Sequence, residues 1–147
     1  MKLITRDTDY AVRILCYLSG KNQRTAVVEM VRELKIPAAF LRRIAQRLSK
    51  AGILTSAKGF NGGFTLSAKP RDIRLLDVAE IFQGNFSLND CLFKRRICPD
   101  RKTCFLRRQI LDIEKYVLEK FASLTVGDIL AGGSIDGQKK NNQDRRE

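Results

Sequence analysis

Three of the four cysteines, Cys91, Cys98 and Cys104, stand within residues 91–104, CLFKRRICPDRKTC, with six residues between the first two and five between the last two. Thiolates hold soft metals, and the chain has no histidine to complete a mixed site. Zinc fits this pattern badly, because there is no C-x-x-C pair and a structural zinc wants four sulfur or nitrogen ligands. Inert cysteines favour apolar packing, whereas this stretch carries Lys94, Arg95, Arg96, Arg101 and Lys102. A redox disulfide between two of the three is one alternative. An iron–sulfur cluster is another: such clusters are held by thiolates, usually four. Three thiolates plus one weaker oxygen donor leave one labile iron, which suits sensing better than electron transfer. The basic residues here, with Arg107 and Arg108 just beyond, either offset the thiolate charge or are simply solvated. Cys16 falls on the inward side of a predicted helix and is expected in the core.

The whole chain narrows the choice. Its 147 residues are enough for one domain with a real core, and 44% hydrophobic against 30% charged residues fits a globular protein. Lys plus Arg number 28 against 16 Asp plus Glu, a net +12, which points to a polyanionic partner, nucleic acid before an anionic membrane surface. A generally solvated basic surface is the plainer reading of the total, but the distribution is uneven. Between Arg32 and Lys58 lie Lys35, Arg42, Arg43, Arg47 and Lys50, against Glu33 alone. No apolar run approaches the roughly 18 residues that span a bilayer. The start, MKLITRDTDYAVR, meets charges too early for a secretory signal, so the cytoplasm is the expected location. With no histidine and no nucleophile–base pairing in view, an enzyme is not expected.

Hydrophobic periodicity supplies the elements that must position these groups. DTDYAVRILCYLSG reads as a helix with Thr8 or Asp7 as its cap, and Tyr10, Ile14 and Tyr17 beside Ala11, Leu15 and Leu18. Thr25 is the candidate cap of a second helix whose Val27, Met30, Val31 and Leu34 face inward. Pro37 starts a third, in which Leu41, Ile44, Ala45 and Leu48 recur at helical spacing and which Gly52 closes. ILTSAK-GFNGG-FTLSA reads as a β-hairpin, and LLDVAEIFQG as a short helix. A long amphipathic helix from about Phe105 to Leu124 carries Leu106, Ile110, Ile113, Val117, Phe121 and Leu124 on one stripe. It is more helix than one subunit can cover, so dimerisation is its expected use.

Three helices and a hairpin in this order make a winged helix-turn-helix: mainly α with a small β-hairpin wing, followed by a long dimerisation helix. With Leu41, Ile44 and Leu48 turned inward, the third helix shows Ala38, Ala39, Arg42, Arg43 and Gln46 outward. The two alanines permit close approach, and the arginines can fork onto guanine or hold phosphates. KGFNGG lacks the ending of a phosphate-binding loop and sits between strands, so a nucleotide site is rejected. As a wing tip it makes sense: Lys58 reaches the duplex, and Asn61, Gly62 and Gly63 let the backbone turn sharply beside it. The parts are a DNA-binding domain (1–82), a cysteine-rich cluster-binding loop (83–104), a dimerisation helix with a C-terminal turn (105–130) and a disordered polar tail (131–147).

At these residues the sequence resembles the Rrf-two family of winged-helix transcriptional regulators. The resemblance covers residues 1 to about 130 and rests on TDYAVR, FLRRIAQRLSKAGIL, KGFNGGF, the three spaced cysteines and SLTVGDIL, in that order. It implies a homodimer joined by the long helix, a palindromic operator in double-stranded DNA, and a labile iron–sulfur cluster near the dimer interface that controls DNA affinity. It implies no membrane partner. The signals that fit such a cluster are nitric oxide, redox state and iron supply. IscR-like members carry a histidine three residues after the third cysteine; Arg107 stands there, which excludes a three-cysteine, one-histidine site. NsrR-like members use an aspartate from the first helix of the other subunit, and the matching position is Asp9, with Asp7 as the fallback. By that resemblance the cluster is 4Fe-4S rather than 2Fe-2S. Asp9 also reads as an ordinary acid at a helix N-terminus. Lys58 replaces the arginine usual in the family's wing and is only a point charge. A cluster-free thiol/disulfide switch on the same fold, and an iron–sulfur electron-transfer or carrier protein, are the competing functions.

Overall fold

The computed structural model describes residues 2–88 and 102–132. The first helix, α1 (Arg6–Ser19), begins one turn earlier than the sequence suggests, because Thr5 caps it and accepts from the Thr8 N–H at 3.4 Å. Asp7 and Thr8 are of capping type too, but burial decides: Thr8 is fully buried, and its hydroxyl donates to Gln83 Oε1 at 2.7 Å. Ala11, Ile14, Leu15 and Leu18 form the buried stripe, with Tyr10, Cys16 and Tyr17 packed at its margin. At the C-terminal end the Gly20 N–H closes the last turn onto Tyr17 O.

The second helix, α2 (Val27–Leu34), has no side-chain cap. Thr25 instead forms an isolated antiparallel bridge with Phe64: its N–H donates to Phe64 O, and its carbonyl accepts from the Phe64 N–H, both at 3.0 Å. A backbone committed on both sides to a neighbouring strand leaves Thr25 no role as a cap. After α2 the chain reverses within three residues, with Lys35 in the left-handed region at φ 54° and Ile36 buried beneath the turn. Pro37 then occupies the N-cap of α3 (Ala38–Lys50), where its missing N–H costs nothing.

Leu41, Ile44, Ala45 and Leu48 of α3 are all completely buried. Burial of each large side chain is worth about 1.5–3 kcal/mol, so α3 is fixed by its inner face and its outer face is left available. Strands β1 (Leu54–Ala57) and β2 (Gly63–Leu66) pair antiparallel with Leu54 opposite Leu66 and Ala57 opposite Gly63. A single 3-10 turn (Pro70–Asp72) leads into α4 (Leu75–Gln83). Beyond the cysteine segment come α5 (Phe105–Ser123) and α6 (Val126–Gly132).

The segment read as a C-terminal turn is thus a short helix, and SLTVGDIL explains why. Thr125 Oγ1 accepts from the Asp128 N–H at 3.1 Å, while Asp128 Oδ2 accepts from the Thr125 N–H at 2.9 Å. This is a reciprocal capping box. The Thr125 hydroxyl, and then its N–H, hold the Asp128 carboxyl below the usual carboxylate range. A Cβ at Gly127 would lie 3.1 Å from the Arg71 backbone, and Val126 is fully buried in the same core as α1. Backbone bonds from Leu75 N to Leu124 O and from Val126 N to Ile73 O complete the junction. The end of the long helix is therefore clamped to the helix-turn-helix body.

Candidate nucleic-acid interface and cysteine segment

On α3 the outward residues named from sequence, Ala38, Ala39, Arg42, Arg43 and Gln46, are all exposed. They share one face of a helix whose opposite face is core, the geometry by which a recognition helix enters a major groove. Two of the arginines in this region have structural partners. Arg43 Nη2 donates to both oxygens of Asp7, at 2.8 and 3.0 Å, which ties the reading face to the first turn of α1. Arg47 donates to the Ile81 carbonyl and lies 4.8 Å over the Phe82 ring, so it braces α3 against α4.

The wing beside α3 is shaped by its glycines. The Gly62 N–H bonds Gly59 O at 2.9 Å, and a Cβ at Gly62 would sit 2.7 Å from Ala57 O. Gly63 has φ +153°, and a Cβ there would be 2.2 Å from Thr25 O. Both positions demand glycine for backbone approach within the hairpin and its bridge to Thr25, whatever use is made of the loop's outer side. Lys58 and Asn61 are exposed at the tip.

Of the two candidate carboxylates on α1, Asp9 pairs with Arg13 at 3.0 Å on the helix surface, and Asp7 pairs with Arg43. Nearby, Gln83 gathers the N-terminus: its Oε1 accepts from the Thr5 N–H at 3.0 Å, and its Nε2 donates to Leu3 O at 3.2 Å. A change at the start of α1 is therefore felt by the reading helix through Asp7 and by α4 through Gln83.

Cys91 and Cys98 lie outside the described residues, as does the tail beyond Gly132. Cys104 is the N-cap of α5, half-buried, its sulfur accepting from the Arg107 N–H at 3.5 Å. Leu88, at the other end of the cysteine segment, donates its N–H to Glu114 Oε2 at 2.9 Å, and the Phe86 and Phe121 rings meet at 5.8 Å. The ends of the segment are thus anchored along α5 roughly ten residues apart, about 15 Å. Fifteen residues, 89–103, separate these two anchors in sequence. Among the described residues no group of three or more Cys, Asp or Glu is placed to hold a metal ion. Cys16 packs against the core, and burial pushes its thiol pKa up, as expected of an inert cysteine.

Helix α5 has no fully buried residue. Of its sequence-predicted stripe, Leu106 and Ile113 are 67% and 56% exposed, and Phe105 and Tyr116, outside that stripe, are each 68% exposed. Ile110, Val117, Phe121 and Leu124 are half-buried.

A family model described as Rrf2, iron-dependent transcriptional regulator, matches residues 4–132. The chain belongs to the Rrf2 family. An HTH-type transcriptional regulator of Aquifex aeolicus is 29% identical over 124 residues, covering 82% of this chain and 86% of that one. The regulator NsrR of Shouchella clausii is 26% identical over 130 residues, 86% and 87% of the two chains. Among solved structures, CymR, the global cysteine regulator of B. subtilis, superposes with TM-score 0.71 at 22% identity over 90% of this chain and 98% of its own. T. potens IscR gives 0.70 at 19% identity, over 90% and 88%. The winged-helix fold is shared with these structures, and membership makes the chain a DNA-binding transcriptional regulator. Among the described residues no helix is long and apolar enough to cross a membrane.

Sequence reasoning missed two features of this surface. The Asp7–Arg43 pair joins residues far apart in the chain, and nothing local signals it. The bracing role of Arg47 follows from Phe82 and the Ile81 carbonyl, neither of which helical periodicity brings to its side.

Proposed function

We propose that this Rrf2-family regulator holds a labile iron–sulfur cluster on Cys91, Cys98 and Cys104, and that the state of the cluster sets its affinity for a palindromic operator. The observation that carries the reading is the position of Cys104 as N-cap of α5, in a chain whose two other clustered thiols, Cys91 and Cys98, precede it by thirteen and six positions in sequence. There the positive end of the helix dipole offsets the charge of a metal-bound thiolate. Three soft sulfur donors suit iron. The cluster, when bound, would supply a labile iron that nitric oxide or oxidants can attack and that scarcity of iron would leave unfilled.

The chain acts as a homodimer. The exposed Phe105, Leu106, Ile113 and Tyr116 give α5 an apolar surface that a second copy of the helix would cover. Two reading helices then address half-sites about one helical turn apart. The fourth ligand is Asp9 of the partner subunit, and the cluster is 4Fe-4S. Asp9 stands half-exposed, held by an i,i+4 pair with Arg13, the kind worth only about 0.3–0.5 kcal/mol, so iron can take it at little cost. Because Thr5 and Thr8 tie this same turn to Gln83, and Asp7 ties it to Arg43, a ligand drawn from the partner would fix the two reading helices relative to each other.

Asp9→Ala is expected to shorten the life of the cluster in air and to uncouple DNA binding from cluster state, while the protein stays folded and dimeric. Absorbance decay after exposure to air, read beside operator binding, measures both. Wild-type decay and a wild-type response would remove Asp9 from the ligand set, and Asp7→Ala in parallel tests the neighbouring carboxylate. A protein that is colourless when purified without oxygen, yet changes affinity with thiol oxidation, would instead support the thiol/disulfide switch.

A further inference from the structure

We propose that Phe60, at the tip of the β1–β2 hairpin, is an apolar wedge that enters the minor groove of duplex DNA at a flexible base step. The inference rests on the DNA-binding reading and adds to it a residue that reads shape. Phe60 is 104% exposed, while the next most exposed large hydrophobic among the described residues, Val28, is 76% exposed. A single exposed apolar residue is ordinary on a helix face. Phe60 differs because it stands in a hydrogen-bonded turn at the tip of a hairpin. It sits inside the turn closed by the Gly62 N–H on Gly59 O, between Gly59 at φ +99° and a Gly62 that has no room for a side chain.

At the base of the turn Gly63 pairs with Ala57 of β1, and the next residue, Phe64, bridges to Thr25. The ring is therefore presented outward on a hydrogen-bonded hairpin, so little order remains to be lost when it is buried by a partner. Its neighbours favour DNA as that partner. Lys58 and Asn61 flank it, both exposed, one suited to a phosphate and the other to the acceptor edges of the minor groove. The exposed face of α3, with Arg42, Arg43 and Gln46, belongs to the same helix-turn-helix unit. Phenylalanine at such a place can push between adjacent base pairs. Pyrimidine–purine steps such as TA unstack most easily, while A-tracts resist. The wedge should therefore prefer alternating d(TA) sequence over a d(A)·d(T) homopolymer, although both offer the same minor-groove acceptors.

The chain contains no tryptophan, so Phe60→Trp places its one tryptophan at the tip, where it can be excited at the red edge apart from the three tyrosines. Full-length dimer carrying Phe60→Trp is titrated with short alternating d(TA) duplex and with d(A)·d(T) homopolymer duplex at low salt. Emission should be quenched strongly by the first and weakly by the second. By anisotropy, Phe60→Ala should bind the alternating duplex about tenfold or more weakly than wild type, and the homopolymer almost equally well. Phe60→Leu, which keeps an apolar wedge, should retain most of the preference. Because the side chain is exposed, all three variants should melt like wild type. Unchanged emission together with unchanged affinity in Phe60→Ala would overturn the proposal while leaving DNA binding intact. Equal quenching by both duplexes would overturn the step preference and the wedge with it. A spectral shift on concentrating the protein without DNA would also overturn it, assigning the tip to contact between copies. Failure of the wild type to bind either duplex would bring down the DNA-binding reading itself.

Discussion

Arg42→Ala is expected to weaken operator binding by about 1–3 kcal/mol, roughly ten- to hundredfold, while leaving binding to unrelated duplex much less affected. The side chain projects from the outer face of a helix whose inner face is completely buried, so its loss changes the interface and leaves the core untouched. Arg43→Ala should also weaken binding, but it removes the pair with Asp7 as well and so alters how α3 is tied to α1. Lys58→Ala should behave differently, lowering affinity for all sequences alike and reducing the slope of log affinity against log salt by about one. Anisotropy over a range of salt, on a duplex selected by the wild type and on a scrambled one, separates the two patterns. Wild-type affinity in both arginine variants would show that α3 does not read the bases.

Cys91→Ala, Cys98→Ala and Cys104→Ala are each expected to abolish the visible absorbance of the protein purified without oxygen. Cys16→Ala should keep the full spectrum. The contrast follows from placement: Cys104 caps α5 at the edge of the polar cysteine segment, whereas Cys16 packs against the core, where burial pushes its thiol pKa up. Equal loss of absorbance in Cys16→Ala would put a fourth thiolate among the ligands and displace Asp9 from that role.

The sequence carried α3 almost completely, because Pro37 marks its start and four apolar residues at helical spacing leave one stable way to orient it. The wing was equally readable, since two strand-forming runs around GFNGG have few alternatives. Where the reading failed, a long-range contact outweighed a local preference. Thr25 has the chemistry of a cap, but its backbone pairs with Phe64 nearly forty residues away. Asp7 and Thr8 suit a cap as well as Thr5 does, and only the Gln83 amide and Arg43 explain why they are used elsewhere. The last helix, α6, contains two glycines in seven residues and has little intrinsic tendency to form; its capping box and the burial of Val126 make it a helix. For the cysteines, spacing and residue type carry the cluster proposal, and two of the three lie outside the described residues. The proposed fourth ligand, Asp9 or Asp7, rests on contact between two copies of the chain, which a local sequence pattern does not specify.

The most direct test of a cluster-controlled regulator is one preparation measured twice. Protein purified without oxygen is assayed for iron and sulfide and for operator affinity, then stripped of iron by a chelator and measured again under the same salt. The account predicts about four iron and four sulfide per subunit, as a 4Fe-4S site requires, and a change in operator affinity of tenfold or more on stripping. Stoichiometric iron and sulfide with identical affinity before and after would contradict it, as would a protein that binds its operator tightly and never holds iron.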